Sequence, residues 1–163
     1  MEPLNTSPIK RHKAIVKFSQ EHHFGLLLVW KIREGIKKNI DAVRIARYTV
    51  FIYDNNLKQH FQEEENLLFS RISEQESLKH RAFAEHQSIY DIIEQIRKTH
   101  STHIQLAAFA DLLDKHIRFE ERELFNYMQQ HFGEDQLEEI TNQHHSEKVK
   151  DVDGQWDDHF WLK

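Results

Sequence analysis

Residues 60–69 read HFQEEENLLF, and this stretch decides how the fold is interpreted. An apolar stripe at helical spacing, which includes Tyr53 and Leu57, leads directly into His60 and Glu64. The two polar residues therefore interrupt a helix face that would otherwise bury leucine. Because residues four apart differ by about 40° in direction and about 6 Å in height, both side chains point to the same side of the helix, one turn apart.

The same interruption returns in residues 116–125, which read HIRFEERELF. Here the apolar stripe that includes Phe109 and Leu113 leads into His116 and Glu120. Two predicted helices thus carry the same His-x-x-x-Glu pattern on their inner faces.

The two remaining long helices repeat as well. The segments EHHFGLLLVWKIRE, from Glu21, and EHQSIYDIIEQIRK, from Glu85, align His22 with His86. A helical wheel puts His22 near the centre of an apolar face, whereas His23 lies about 100° away and is either exposed or the partner of a ligand. The chain is a doubled unit whose inward polar residues are His22, His60, Glu64, His86, His116 and Glu120.

The composition favours an all-α fold. The chain has 163 residues, of which 39% are hydrophobic and 30% charged, as in a single globular domain. It contains four glycines and two prolines, and both prolines lie in the first ten residues. A chain with so few turn formers is not built of short strands.

Five helices are predicted, over residues 17–38, 42–70, 74–99, 101–131 and 134–147. Asn39 ends the first, Asp41 caps the second, Ser73 and Glu76 form a capping box for the third, Ser101 starts the fourth, and Gly133 stops it. Short linkers predict an up-down-up-down antiparallel four-helix bundle. Residues 1–16 are then a lead-in segment, 17–132 the bundle, and 133–163 a C-terminal helix and an aromatic tail packed on the bundle.

Several function classes are disfavoured. The net charge is −5 without a basic block, so no nucleic-acid partner is expected. The longest apolar run, LLLVW at 26–30, is too short to cross a membrane. The chain has no cysteine and its start lacks the apolar core of a signal peptide, so a cytoplasmic location is expected.

Buried carboxylates next to imidazoles predict a metal site. An unpaired buried carboxylate is strongly unfavourable, and a pair of divalent cations would compensate both glutamates. Glu64 and Glu120 would bridge the ions and the histidines would bind two per metal, which leaves an open position for a small ligand. The alternative is a set of ordinary core histidines with hydrogen-bond partners, which the internal repetition disfavours.

The other polar residues near this pattern are given lesser roles. Glu63 and Glu65 face outward or support a ligand, and Glu123 is a rim residue in preference to an extra ligand or a ligand's partner. Surface positions are predicted for the remaining histidines, namely His12, His80, His100, His103, His131, His144, His145 and His159. Spacing places Leu26, Trp30, Phe83, Ile89 and Phe109 in the core.

The pattern H…HxxxE…H…HxxxE resembles the hemerythrin-like, or HHE cation-binding, domain over roughly residues 15–131. The stretches EHHFGLLLVWKIREG and LKQHFQEEENLLF carry the resemblance. It implies a non-haem di-iron centre with His22, His60, His86 and His116 as terminal ligands and with Glu64 and Glu120 as bridges. Oxygen-carrying members have a fifth histidine where this chain has Tyr90, and HxxxxD where it has HxxxE. The vacancy is then filled by solvent, by Tyr90 or by a nearby carboxylate.

Three functions follow from this resemblance and the motifs. The leading one is a di-iron protein that binds a small diatomic ligand, O2 or NO, or senses redox or iron state. The alternatives are a di-iron enzyme (an oxidase, peroxidase or NO reductase) and an interaction scaffold with a structural metal. Manganese or zinc would also suit the donor set. The tail around Trp156, Phe160 and Trp161 is a candidate surface for a homodimer or a protein partner.

Overall fold

The computed structural model describes residues 10–98, 100–144 and 153–162 of the chain. Within these ranges all regular secondary structure is helical, so the prediction of an all-α chain is confirmed. Five helices account for most of it. Two short 3₁₀ turns, Asp153–Gln155 and Phe160–Leu162, follow them.

Three of the helices are regular and two are composite. α1 spans Lys13–Lys37, α3 spans Ser77–Lys98, and α5 spans Glu134–Gln143. α2 runs over 42–71, with α-helical parts Ala42–Ile52 and Lys58–Glu63, π-helical turns Tyr53–Leu57 and Glu64–Leu68, and a last 3₁₀ turn Phe69–Arg71. α4 runs over 103–131, α-helical at His103–Phe119 and Phe125–His131, with the π-helical turn Glu120–Leu124 between them.

The start of α1 lies earlier than predicted, and the start of α2 agrees with the prediction. His12 Nδ1 accepts a hydrogen bond from the Ala14 backbone N–H at 3.0 Å, which caps α1 and lets it begin at Lys13. Residues 13–16 of the predicted lead-in are therefore helical. Asp41 caps α2 by accepting from the Val43 N–H at 3.0 Å.

The predicted capping box of α3 is wrong. The helix begins at Ser77, one turn beyond Ser73, and the Glu76 carboxylate accepts from the Leu78 N–H at 3.3 Å. A carboxylate in this place also complements the positive end of the helix dipole.

The ends of α4 and α5 also differ in detail from prediction. Thr102, rather than Ser101, caps α4. Gly133 has a φ of −70° and stands at the start of α5, so it is not a left-handed stop. α5 ends at Gln143, and the predicted residues 145–147 lie outside the described residues.

The helices pack as a bundle. α1 packs along α2 and α4, and α3 packs along the same two helices, while α5 lies against α1 and the second π-helical turn of α2. The connections 38–41, 72–76 and 132–133 are short, as in helical bundles, and α4 begins at His103, soon after α3 ends at Lys98. The up-down-up-down order stays a prediction that these short connections support.

Two clusters of buried apolar side chains form the core. One includes Leu113 and Ile117 of α4 together with Phe160 and Trp161 near the C-terminal end of the chain. The other includes Phe18, Phe69 and Phe125. The rings of Phe160 and Trp161 contact Tyr48 of α2, with centroids 5.7 and 4.8 Å away, so this part of the tail contributes to the bundle core.

Three of the predicted core residues are exposed. Leu26, Trp30 and Phe83 are 36%, 49% and 38% exposed, whereas Ile89 and Phe109 are fully buried as predicted. Phe83 still contacts the Phe69 ring of α2, with a centroid distance of 5.2 Å, so it is at the border of the core. None of the helices in the described part of the chain is both long enough and apolar enough to cross a membrane.

Candidate metal centre

The structure brings all six predicted site residues together in the middle of the bundle. Each of the six is 3% exposed or less. They form two groups, and within each group the ligand-capable atoms lie within 4.8 Å of one another. One group is His22, His60, Glu64 and Glu120, and the other is Glu64, His86, His116 and Glu120. Both glutamates belong to both groups.

The two carboxylates lie between the imidazoles, and all four rings direct Nε2 towards them. Glu64 Oε2 is 3.3 Å from His60 Nε2, and Glu64 Oε1 is 3.2 Å from His86 Nε2. Glu120 Oε1 is 3.0 Å from His22 Nε2 and 3.2 Å from His116 Nε2. Glu64 Oε2 also lies 3.6 Å from His22 Nε2, so each carboxylate contacts imidazoles of both groups.

Glu64 and Glu120 each begin a π-helical turn, Glu64–Leu68 and Glu120–Leu124. A π-helical turn holds one extra residue, so the residues that follow it face a different direction from that expected for a regular α-helix. Such turns are frequent at functional sites. The effect is visible directly after Glu64, where Leu68 is fully buried and Leu67 only partly.

Glu123 lies in the second of these turns. It is 48% exposed and its carboxylate is 3.3 Å from Arg81. It is therefore a rim residue, as the preferred interpretation held, and not part of either group.

Every imidazole of the centre donates its outer N–H to a second glutamate. The Nδ1 to carboxylate distances are 2.7 Å for His22 and Glu121, 3.2 Å for His60 and Glu21, 2.9 Å for His86 and Glu65, and 2.8 Å for His116 and Glu85. A carboxylate that accepts from Nδ1 leaves the Nε2 lone pair to face inward, and histidines that bind metals are oriented in this way. We call Glu21, Glu65, Glu85 and Glu121 the outer carboxylates.

The outer carboxylates follow the internal repeat of the sequence. Glu21 and Glu85 each stand one residue before a histidine of the centre, and Glu65 and Glu121 each stand one residue after a shared glutamate. Sequence reasoning allowed such a role for Glu65 but missed the other three. The repeated doublets Glu-His and Glu-Glu were the available signal, yet they do not say across which helices the bonds form.

The electrostatics of the metal-free centre are those of imidazoles held between carboxylates. Burial would lower the pKa of His60, but Glu64 and Glu21 outweigh it and raise this pKa to about 9. Burial likewise opposes protonation of His116, whose pKa Glu120 raises to about 10. Burial would raise the pKa of the Glu64 carboxyl, but the surrounding histidines hold it well below its usual value. In the metal-free centre these imidazoles are therefore protonated and the Glu64 carboxylate is ionised at neutral pH.

The donor atoms fit metal ions because several of them lack other partners. Six buried polar atoms of the centre have no partner in hydrogen-bonding geometry within the described chain: both carboxylate oxygens of Glu64, Oε2 of Glu120, and Nε2 of His60, His86 and His116. The Nε2 atoms of His60, His86 and His116 lie 3.2–3.3 Å from carboxylate oxygens, close enough for charge attraction, but they are not aligned as hydrogen bonds. Divalent cations would satisfy these atoms, and nitrogen and oxygen donors suit iron, manganese and zinc.

Tyr90 and His23 do not join the centre. The Tyr90 hydroxyl donates to the outer carboxylate of Glu65, and burial together with this carboxylate raises the pKa of the phenol. Tyr90 therefore supports His86 indirectly. His23 is exposed on the outer side of α1.

The surface prediction for the remaining histidines is wrong for His144. Its side chain is 1% exposed, and its Nε2 lies 3.0 Å from Glu21 and 2.6 Å from Glu63. The prediction failed because α5 docks on α1 and α2 and carries this residue inward. His80, His100, His131 and His159 are exposed, His12 and His103 are half-buried, and His145 lies outside the described residues.

These observations define a class: a helical bundle whose interior holds a doubled cluster of histidines and glutamates. The model of the Hemerythrin HHE cation binding domain family matches residues 16–128. The match covers more than half of the chain, and the chain belongs to this family. Comparison with curated proteins and with solved structures found no match.

Proposed function

We propose that this protein holds a non-haem di-iron centre in the doubled cluster and uses it to bind a small diatomic ligand, O2 or NO, or to sense redox or iron state. The first metal position comprises His22 and His60, and the second comprises His86 and His116. Glu64 and Glu120 serve both positions. The observation that carries the proposal is that two groups of four donors share the same two carboxylates.

The ligand count supports a small-ligand function. Each position draws on two imidazoles and two shared carboxylates, whereas iron in nitrogen and oxygen sites commonly takes more than four ligands. Iron would supply open coordination positions and redox chemistry. The protein residues would hold it with the Nε2 atoms, orient these atoms through the outer carboxylates, and keep the centre away from bulk water.

The apolar rings that contact the imidazoles support the last of these roles. Phe125 stacks on His22 with a centroid distance of 5.3 Å, and Phe61 lies 4.5 Å from His86. Apolar surroundings control the access of solvent to a metal site and the local dielectric.

Metal analysis of the full-length chain tests the proposal. Protein loaded anaerobically with Fe(II) and then desalted should retain two irons per chain. Exposure to O2 or NO should then change a near-ultraviolet charge-transfer absorption. The matched control is the double variant His60→Ala and His116→Ala, which should retain no stoichiometric iron. Wild-type protein without stoichiometric iron, or equal retention by the control, would refute the proposal. Loading with Mn(II) and Zn(II) under the same conditions establishes the metal preference.

A further inference from the structure

Each outer carboxylate bonds at least one further side chain besides its imidazole, and the residue type of that side chain differs from one carboxylate to the next. Arg81 Nε bonds Glu85 at 2.9 Å, and the Tyr90 hydroxyl bonds Glu65. Arg11 and Ser19 bond Glu121 at 3.1 and 3.0 Å, and His144 Nε2 bonds Glu21 at 3.0 Å. Since every outer carboxylate orients one imidazole, these partners decide how firmly each imidazole is held.

The partners divide between the two metal positions. Arg81 and Tyr90 both lie on α3, the helix that carries His86, so the second position is supported from within the four long helices. Arg11 precedes α1, and His144 follows α5. The first position is therefore supported by one residue before α1 and one residue after α5, in addition to the Ser19 hydroxyl of α1, which also bonds Glu121.

The contacts of His144 are those of a hydrogen-bond donor. Its ring stacks on Phe18 with a centroid distance of 4.1 Å and an angle of 19°, and its Nε2 faces the carboxylates of both Glu21 and Glu63. Its buried Nδ1 has no partner within the described residues. A histidine that binds a metal through Nε2 donates its other N–H to an acceptor, and the described part of the chain offers none. Although the ligand-capable atoms of Glu21, Glu63 and His144 also lie within 4.8 Å of one another, we assign His144 the role of a hydrogen-bond donor to both carboxylates.

Arg11 plays the corresponding part for His22. Its guanidinium bonds the Glu121 carboxylate and Asn126 Oδ1, the latter at 2.7 Å, and its side chain is 12% exposed. The neighbouring His12 Nε2 lies 2.8 Å from the carboxylate of Glu134, the first residue of α5. The segment before α1 and the helix α5 are therefore joined to each other as well as to the first position.

We propose that the two metal positions are unequal: the first depends on the docked terminal segments 10–12 and 134–144 through Arg11 and His144, whereas the second is held by α3. This inference rests on the proposed function, since it concerns metal binding at that centre. His144 acts as a positioning residue, because it touches Glu21 and not the metal. Metals bind in two unequal steps, and undocking of either terminal segment weakens the first position selectively.

The test uses Co(II) as the metal probe and His144→Phe as the perturbation, because phenylalanine keeps the ring on Phe18 but removes the donor. His144→Phe is placed in two backgrounds: His116→Ala, which retains the first position, and His60→Ala, which retains the second. Competition with a chelator measures cobalt affinity. We expect His144→Phe to weaken binding about 10-fold to 100-fold in the His116→Ala background. In the His60→Ala background the change should be less than about twofold.

The matched control is His131→Phe. The His131 ring stacks on Tyr127 with the same centroid distance, 4.1 Å, and a similar angle, 21°, but it lies on the surface. This variant should leave cobalt affinity unchanged in both backgrounds.

Two further measurements keep the inference falsifiable. If the single-position backgrounds lose cobalt altogether, the full site is titrated, where Arg11→Gln and His144→Phe should weaken one binding step and Arg81→Gln the other. In metal-free protein labelled with ¹⁵N-histidine, His144→Phe should shift the Nδ1 resonance of His60 and leave that of His116 in place.

Equal weakening in both backgrounds, no weakening in either, or loss of a third cobalt equivalent with His144→Phe would overturn the inference. Wild-type protein that binds no cobalt would refute the proposed function together with this inference. Two cobalt equivalents with steps insensitive to Arg11 and His144 would refute this inference alone.

Discussion

Raising the pH should destabilise the metal-free protein while it strengthens metal binding. The folded-state pKa values of His60 and His116 are raised to about 9 and about 10, above the ordinary value of 6.5. A group whose pKa is raised on folding stabilises the fold fully below its unfolded pKa and loses this contribution as the pH passes through the folded value. The contribution of His60 is therefore lost between pH 6.5 and about 9, and that of His116 between pH 6.5 and about 10.

The size of the effect follows from the pKa shifts. At about 1.4 kcal/mol per pKa unit, His60 contributes about 3 kcal/mol and His116 about 5 kcal/mol. The two values do not add, because Glu64 faces both imidazoles. A loss of about 3–5 kcal/mol from these two imidazoles is a large part of the 5–15 kcal/mol that stabilises a typical domain.

Carboxylates determine how the stability of the metal-free protein changes at acidic pH. Burial would raise the pKa of Glu21, but hydrogen bonds from His144 and His60 outweigh it and lower this pKa to about 2. A lowered carboxyl pKa stabilises the fold above its unfolded value of about 4.5 and loses that contribution as the pH falls towards 2. Metal-free protein should therefore be most stable between about pH 4.5 and 6.5.

Urea denaturation of chelated protein at pH 5.5, 7.5 and 9.5 measures this profile. The metal-loaded protein should show the opposite trend, because metals need neutral imidazoles and displace protons whose removal becomes easier as the pH rises. Glu64→Gln is the matched control, since it removes the carboxylate that most raises the His60 pKa and should flatten the slope above pH 6.5. Metal-free wild-type protein with constant stability from pH 5.5 to 9.5 would contradict the assigned charges of the centre.

Three other predictions concern single side chains. Glu120→Gln should weaken cobalt binding at both positions by more than about 100-fold, measured by chelator competition, whereas Glu123→Gln at the rim should not. Equal cobalt affinity in these two variants would show that Glu120 is not shared. Gly35→Ala should destabilise the protein by about 1–3 kcal/mol in urea, because its Cβ would lie 2.8 Å from the Phe160 ring. Gly133→Ala, with open space around it, should change stability by less than about 0.5 kcal/mol. Phe160→Ala should cost about 3–5 kcal/mol in the same assay, and a stability equal to wild type would show that the tail does not belong to the core.

Periodicity along the chain predicted that there are five helices, and it placed His60, Glu64, His116 and Glu120 on inner helix faces. Residues on the inner face of a regular helix follow one another at intervals of three or four positions. Polar residues at these positions, such as His60 and Glu64, can therefore be recognised from one helix alone, without knowledge of the helix packed against it. The internal repeat then extended the prediction to the weaker helices, which is how His22 and His86 were paired.

Properties that depend on the approach of two helices were not predictable in this way. The π-helical turns at Glu64 and Glu120 rotate the residues that follow them relative to a regular helical wheel. Trp30, which a helical wheel places in the core, is 49% exposed. The four bonds between the imidazoles and the outer carboxylates link residues from 21 to 99 positions apart.

The sequence by itself thus determined that the six histidines and glutamates of the centre face the interior, because they lie near the middle of an apolar helix face. The tertiary structure alone decided which carboxylate supports which imidazole, and it brought His144 from an expected surface position to the side of Glu21. The physical reason is that a hydrogen bond between helices requires their relative register and separation, and packing of the whole core sets both.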